Sequence, residues 1–246
     1  MKVKKVGEET CKECGSTYPI YKSKYAEYGE CRKCRDKNLV PSKEELIQRR
    51  INRMTEKYSR IPADLENATF ESYKPMHPSQ ANAKKIAELY ATQFSLNKGS
   101  LVFSGATGLG KSHLAYCIAK TVKNKGFTTL YIKSTDFLEL VRSTYNNPML
   151  DESKIFELIE QVDLLVLDDV GSEYIKQTDT ESWASDILFK LTDIRQSKCN
   201  VYTTNYNDEG LAKKYGYPAG ARIVSRILNN AQGMRLEGQD FRRRKI

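Results

Sequence analysis

Long apolar runs are absent from this 246-residue chain. A membrane-spanning helix needs about 18–20 consecutive apolar residues, so no membrane partner is expected. The N-terminus, MKVKKVGEET, is basic with no apolar stretch behind it. That is not the pattern of a secretory signal, and a cytoplasmic location is expected. Histidine is scarce: His77 and His113 are the only two. They lie far apart, so no His-based catalytic or metal site is built on them. The single tryptophan, Trp183, reads as a core or interface residue rather than a stacking platform. No internal repeat or low-complexity tract is evident. What remains is 39% hydrophobic and 29% charged, the composition of a globular chain rather than a disordered one.

Positive charge is plentiful and uneven. The formal net charge is +9, and residues 1–60 hold 16 Lys or Arg against nine Asp or Glu. Such an excess can attract phosphate backbones, although a merely solvated basic surface has the same composition. Four of the six cysteines form two close pairs, Cys11/Cys14 and Cys31/Cys34, while Cys117 and Cys199 stand alone. Without a secretion signal, paired cysteines point to metal rather than to disulfides. C-x2-C-x16-C-x2-C fits a zinc site, and four thiolates form a closed tetrahedral shell with a structural role. An iron–sulfur cluster would use the same residue type. The two isolated cysteines, Cys117 and Cys199, read as buried hydrophobes.

Three parts follow from the pattern: a four-cysteine zinc module over 1–40, a basic helix and connector over 41–75, and alternating strands and helices over 76–246. The connector helix is expected to start at Ser42, with Glu45 completing a capping box. Pro62 and Pro75 punctuate an extended segment beyond it. In the third part, strands are expected over 100–103, 128–132, 163–167 and 200–204, with a weaker one over 233–237. Helices are expected over 81–96, from about 111 to Gly126, and over 134–144, 153–161, 180–197 and 219–229. Such alternation implies an α/β fold with parallel pairing.

Gly105-Ala106-Thr107-Gly108-Leu109-Gly110-Lys111-Ser112 fits G-x-x-x-x-G-K-[ST] in full, between a strand and a helix. The glycines let successive N–H groups face phosphates, and the helix N-terminus adds unsatisfied donors. Lys111 is expected at the β- and γ-phosphates of ATP and the Ser112 hydroxyl at Mg²⁺. Leu164–Leu167 runs into Asp168-Asp169, a buried strand delivering carboxylates beside the phosphate loop. Asp168 is expected at the Mg²⁺ shell and Asp169 at the attacking water. At the tip of the 200–204 strand, Asn205 is placed to bond the γ-phosphate or that water, unless it is an ordinary turn residue.

These motifs, with Thr203-Thr204-Asn205-Tyr206, Asp168-Asp-Val-Gly-Ser-Glu173 and Ile61-Pro-Ala-Asp-Leu-Glu-Asn-Ala-Thr-Phe70, resemble the DnaC/DnaI-type bacterial and phage helicase loaders. The likeness covers about residues 58–246 and extends to the N-terminal Cys module of some members. IstB-type transposition helper ATPases share the core and are the nearest competitor. The resemblance implies an AAA+ ATPase core. It implies a DnaB-type replicative helicase and single-stranded DNA as partners, and self-association through shared ATP sites, in a helical or hexameric array. In Gly220-Ala-Arg222-Ile-Val-Ser-Arg226, Arg226 resembles the arginine that reaches a neighbour's γ-phosphate, unless this is a solvent-facing basic helix. In Gly238-Gln-Asp-Phe241-Arg242, Arg242 resembles a second sensor in the same subunit, unless it opens a basic tail through Arg243, Arg244 and Lys245. Twenty residues follow Arg226, too few for the helical lid of a typical AAA+ protein. Arg142 and Tyr145 offer a cation and a ring for single strands, although helix amphipathicity also makes theirs an ordinary core helix.

Overall fold

The computed structural model describes residues 4–39, 42–145, 151–175 and 182–242. The chain divides into two compact units, Met1–Arg50 and Ile51–Ile246.

In the smaller unit, β1 (Lys4–Thr10) pairs antiparallel with β2 (Thr17–Lys22), and β3 (Glu27–Tyr28) adds to β2. Helix α1 (Arg32–Leu39) follows the second cysteine pair's first member. The hairpin was not legible in the sequence, because every residue of β1 is exposed and no apolar alternation marks it. Among the described residues of this unit, Cys31 is the one buried apolar side chain. Helix α2 (Lys43–Tyr58) begins with the expected capping box. Glu45 N–H donates to Ser42 Oγ (3.0 Å) and Ser42 N–H to Glu45 Oε2 (3.1 Å). From Ile51 onward, α2 belongs to the larger unit, whose core takes in Ile51 and Met54.

The larger unit is built on five strands, β4 (Ser100–Ser104), β5 (Thr129–Lys133), β6 (Leu164–Val170), β7 (Cys199–Thr204) and β8 (Ala231–Arg235). All pairs are parallel, in the order β5-β6-β7-β4-β8. Both faces of β6 are covered, which explains its continuous apolar run Leu164–Leu167. Leu164 and Val166 pack into the layer of α3 (Pro78–Thr92) and α4 (Lys111–Asn124). Leu165 and Leu167 pack into the layer of α5 (Ser134–Thr144), α6 (Glu152–Gln161), α7 (Trp183–Ile194), α8 (Asp208–Tyr215) and α9 (Ala219–Leu228).

The structure adds to the sequence expectations in several places of the larger unit. The segment after Pro62 forms a short 3₁₀ turn, Ala63–Leu65, that buries Leu65. Helix α3 starts at Pro78, capped by His77, whose ring accepts from Ser79 N–H. Helix α8 was not anticipated: it is short and contains Gly210, and its cap, Asn207, bonds the Gly210 N–H. Finally, β7 lies between β4 and β6, so the acidic strand is separated from the phosphate-loop strand by one strand. Residues 180–181, where the α7 helix was expected to begin, and the tail at 243–245 lie outside the described residues.

Candidate nucleotide-binding site

The Gly105–Ser112 loop leaves β4 and turns directly into α4. Two of its glycines are required by close neighbours. Gly105 has φ +136°, and a Cβ there would collide with the Leu236 carbonyl. Gly110 caps α4 at φ +77°, and a Cβ would run into the Tyr73 ring. Lys111 is buried, and its Nζ donates to the carbonyls of Gly105 (2.8 Å) and Ala106 (2.7 Å) and to Asn205 Oδ1 (2.8 Å). Burial pulls the lysine below its ordinary pKa, Asp169 and Asp168 oppose this, and Arg242 adds to the lowering.

The two acids occupy different environments. Asp168 is buried, and both its oxygens are engaged: Thr203 Oγ1 donates to Oδ1 (2.6 Å) and the Tyr131 hydroxyl to Oδ2 (2.7 Å). Asp169 follows at φ +60°, a left-handed conformation that non-glycine residues rarely adopt. It is pinned on every side. Its N–H donates to Thr203 Oγ1 (2.8 Å), its carbonyl accepts from Ser134 Oγ (3.0 Å), and its carboxylate accepts from Asn205 Nδ2 (3.0 Å). Desolvation, then the Asp168 charge, raise the Asp169 carboxyl, against Lys111, Lys133 and Asn205. Lys111, Asn205 and Asp169 thus form one hydrogen-bonded chain.

These groups line one cleft of about 440 Å³, within the range of small-molecule sites. Thr107, Gly108, Gly110, Lys111 and Ser112 line it, with Asp168, Asp169, Asn205 and Arg242. The backbone of Leu109 contributes through its carbonyl, which accepts from the Tyr73 hydroxyl (2.9 Å), while its side chain is core. The C-terminal segment folds over the loop. Leu236 N–H donates to Ser104 O (2.7 Å) and Phe241 N–H to Gly108 O (2.9 Å). Phe241 packs edge-on to Tyr73, and Arg242 Nε donates to Asp240 Oδ1 (3.3 Å). Arg226 stands apart from this cleft, on α9, where its Nε donates to Asp193 Oδ1 (2.8 Å). Arg142 stacks on the Trp183 ring, whose Nε1–H donates to the Tyr145 hydroxyl (2.9 Å).

In the smaller unit the four paired cysteines converge, with all Sγ atoms within 4.8 Å of one another. Cys11–Cys34 and Cys14–Cys31 approach to 3.5 Å. Four thiolates about 2.3 Å from one zinc ion would stand roughly 3.8 Å apart, so the set fits a metal with only small adjustment. Gly15, at φ +70°, closes the first knuckle by donating to the Cys11 carbonyl (2.9 Å).

Residues 36–246 match the family model of the IstB-like ATP-binding protein. The chain belongs to this family. It is 30% identical over 183 residues to the replicative helicase loader DnaC of Escherichia coli strain K12, covering 73% of this chain and 71% of that protein. It is 29% identical over 164 residues to the putative ATP-binding protein of insertion sequence IS232 from Bacillus thuringiensis subsp. berliner, covering 65% and 62%. The crystal structure of the DnaC helicase loader superposes with a TM-score of 0.60 at 23% identity, over 72% of this chain and all of that one. The fold is therefore that of the P-loop NTPases, and ATP is the nucleotide this family binds.

Several residues of the site were given no role from the sequence, although Thr203 lay within a quoted motif. Tyr73 reaches the loop from 36 positions upstream. Thr203 lies two residues before Asn205, so strand periodicity could have placed both toward the same side. Tyr131 is a phenol inside a buried strand, and such a hydroxyl usually finds a partner; that was the available signal. His113, which carried no role in the sequence, ties the loop helix to the Thr69 carbonyl (2.8 Å).

Proposed function

We propose that the chain is an ATP-driven loader that binds a DnaB-type replicative helicase and delivers it to single-stranded DNA. ATP is hydrolysed at a site shared with a neighbouring copy of the chain. The reading is carried by the Lys111–Asn205–Asp169 chain across the cleft, in a protein whose relatives include replicative helicase loaders. The Gly105–Ser112 N–H groups hold the phosphates, and Lys111 exchanges its loop carbonyls for phosphate oxygens. Ser112 and Asp168 would hold Mg²⁺, which would supply positive charge to the triphosphate. Asp169 and Asn205 orient the attacking water, and Arg242 senses the triphosphate in the same subunit. Arg226, lying outside its own cleft, serves the cleft of the next subunit in a helical or hexameric array. Cys11, Cys14, Cys31 and Cys34 hold a structural Zn²⁺, and the module over 1–40 with the adjoining basic helix grips the helicase. The protein works in the cytoplasm, without a membrane partner.

Two measurements test this. Lys111→Ala is expected to abolish binding of a fluorescent ATP analogue, and ordinary affinity would refute the site. The full chain is expected to retain the replicative helicase in a pull-down. The family's IstB-like members and the IS232 relative favour one other reading, a transposition helper on duplex DNA. Retention of a transposase instead of the helicase would establish it.

A further inference from the structure

Asp168 is a buried carboxylate in the second half of β6. The neighbouring strands supply its partners from both sides. Tyr131 comes from β5, paired with β6 through Tyr131↔Val166. Thr203 comes from β7, on the opposite flank of β6. All three residues are 2% exposed or less, so the orientation of the acid is set by protein groups. Thr203 does two things with one oxygen. It donates to Asp168 Oδ1 (2.6 Å) and accepts from the Asp169 N–H (2.8 Å). A single hydroxyl therefore joins the carboxylate of one acid to the backbone of the next, at the point where that backbone turns left-handed.

We propose that Tyr131 and Thr203 are positioning residues that set the aim of Asp168 and Asp169 toward the metal and the water of the cleft. The proposal rests on the metal role given to Asp168 above. Each oxygen of Asp168 has one lone pair committed to a protein hydroxyl and one remaining. The remaining pairs suit the waters of a hydrated Mg²⁺, which keeps most of its shell. Fixing the committed pairs fixes the direction of the remaining ones. Without the clamp the carboxylate is free to rotate about its terminal torsion, which is broad and roughly two-fold. Thr203 adds a second consequence, because its loss also frees the Asp169 N–H and lets the left-handed kink relax.

The test is Mg²⁺ titration of fluorescent-ATP binding to the full chain, with nucleotide affinity in EDTA and the thermal midpoint measured alongside. Tyr131→Phe and Thr203→Val are expected to raise the half-saturating Mg²⁺ about tenfold, as loss of a partner behind a metal-binding carboxylate commonly does. Affinity in EDTA is expected to stay at the wild-type value. Thr203→Ser keeps the hydroxyl and is expected to behave as wild type, which guards against a fold defect in Thr203→Val. Wild-type Mg²⁺ dependence in Tyr131→Phe and Thr203→Val, beside a loss in Asp168→Asn, overturns the clamp and leaves the site intact. Wild-type dependence in Asp168→Asn overturns the metal role itself, and the clamp with it. A Thr203→Ser variant as impaired as Thr203→Val also overturns the clamp, because the hydroxyl would then not be what matters.

Discussion

The two units of this chain are held together by different means. The larger buries apolar side chains on both faces of a five-stranded parallel sheet. The smaller, among its described residues, buries one apolar side chain, and that is Cys31. Its ion pairs are exposed, such as Lys22 with Glu27, and exposed pairs contribute little. A unit the size of Met1–Arg50 with so little buried has only a marginal core to fold on. The cysteine cluster is the feature that can substitute for a core, since metal binding to such a set is itself folding free energy. Within one chain, one region is ordered by hydrophobic burial, and the other brings four sulfur atoms together where a core would lie.

The sharpest way to break this contrast is metal removal. A strong zinc chelator is expected to abolish amide-exchange protection over β1 and β2, a loss on the order of 10 kcal/mol. Protection over β4 to β8 is expected to be unchanged. Equal protection of β1 with and without chelator would show that the small unit needs no metal. A second test works from the other side. Arg195 is fully buried and binds the Ile159, Val162 and Cys199 carbonyls and Asn200 Oδ1. Arg195→Met leaves these acceptors unpaired, at a cost on the order of 3 kcal/mol, or a thermal midpoint lower by about 10 °C. The same variant is expected to leave the zinc content of the small unit unchanged.

A smaller, pH-dependent effect belongs to Glu173. Burial raises its carboxyl above the ordinary glutamate value, against hydrogen bonds from Ser134, Tyr215 and the Gly171 N–H. The folded chain therefore binds this proton more tightly than the unfolded chain does. That contribution is complete below the ordinary value of 4.5 and is lost as pH rises through the folded value. Glu173→Gln mimics the neutral acid, so its stability relative to wild type should grow with pH in urea melts. A pH-independent difference would show that the site holds the charged form without penalty. Smallest of all is the capping box at α2. Ser42→Ala is expected to cost about 1 kcal/mol, read as faster amide exchange over the first turn alone.

The phosphate loop, the acidic strand and the capping box were legible because each is specified within a dozen neighbouring residues. Lys111, Asp168 and Ser42 needed no knowledge of the rest of the chain. The insertion of β7 between β4 and β6 was not legible, since strand order is decided by packing among segments a hundred residues apart. Tyr131, Thr203 and Arg195 were missed for the same reason: their partners lie across the sheet or between helices. Helix α8 was missed because eight residues with an internal glycine carry too weak a period. The hairpin of the small unit was missed because it has no buried face.

The measurement that bears most directly on the shared site is complementation between two inactive variants. On the shared-site proposal, Arg226→Ala lacks the arginine offered to a neighbour, and Asp169→Asn lacks the acid of its own cleft. Each alone is expected to lose roughly a thousandfold or more of the ATPase rate, while still binding nucleotide. Mixed together, an Arg226→Ala cleft can receive the intact arginine of an Asp169→Asn neighbour. Recovery of up to about a quarter of the wild-type rate in an equal mixture, the share of interfaces with both groups intact, is the predicted result. No recovery from variants shown to co-assemble, or a full rate from Arg226→Ala alone, would contradict it.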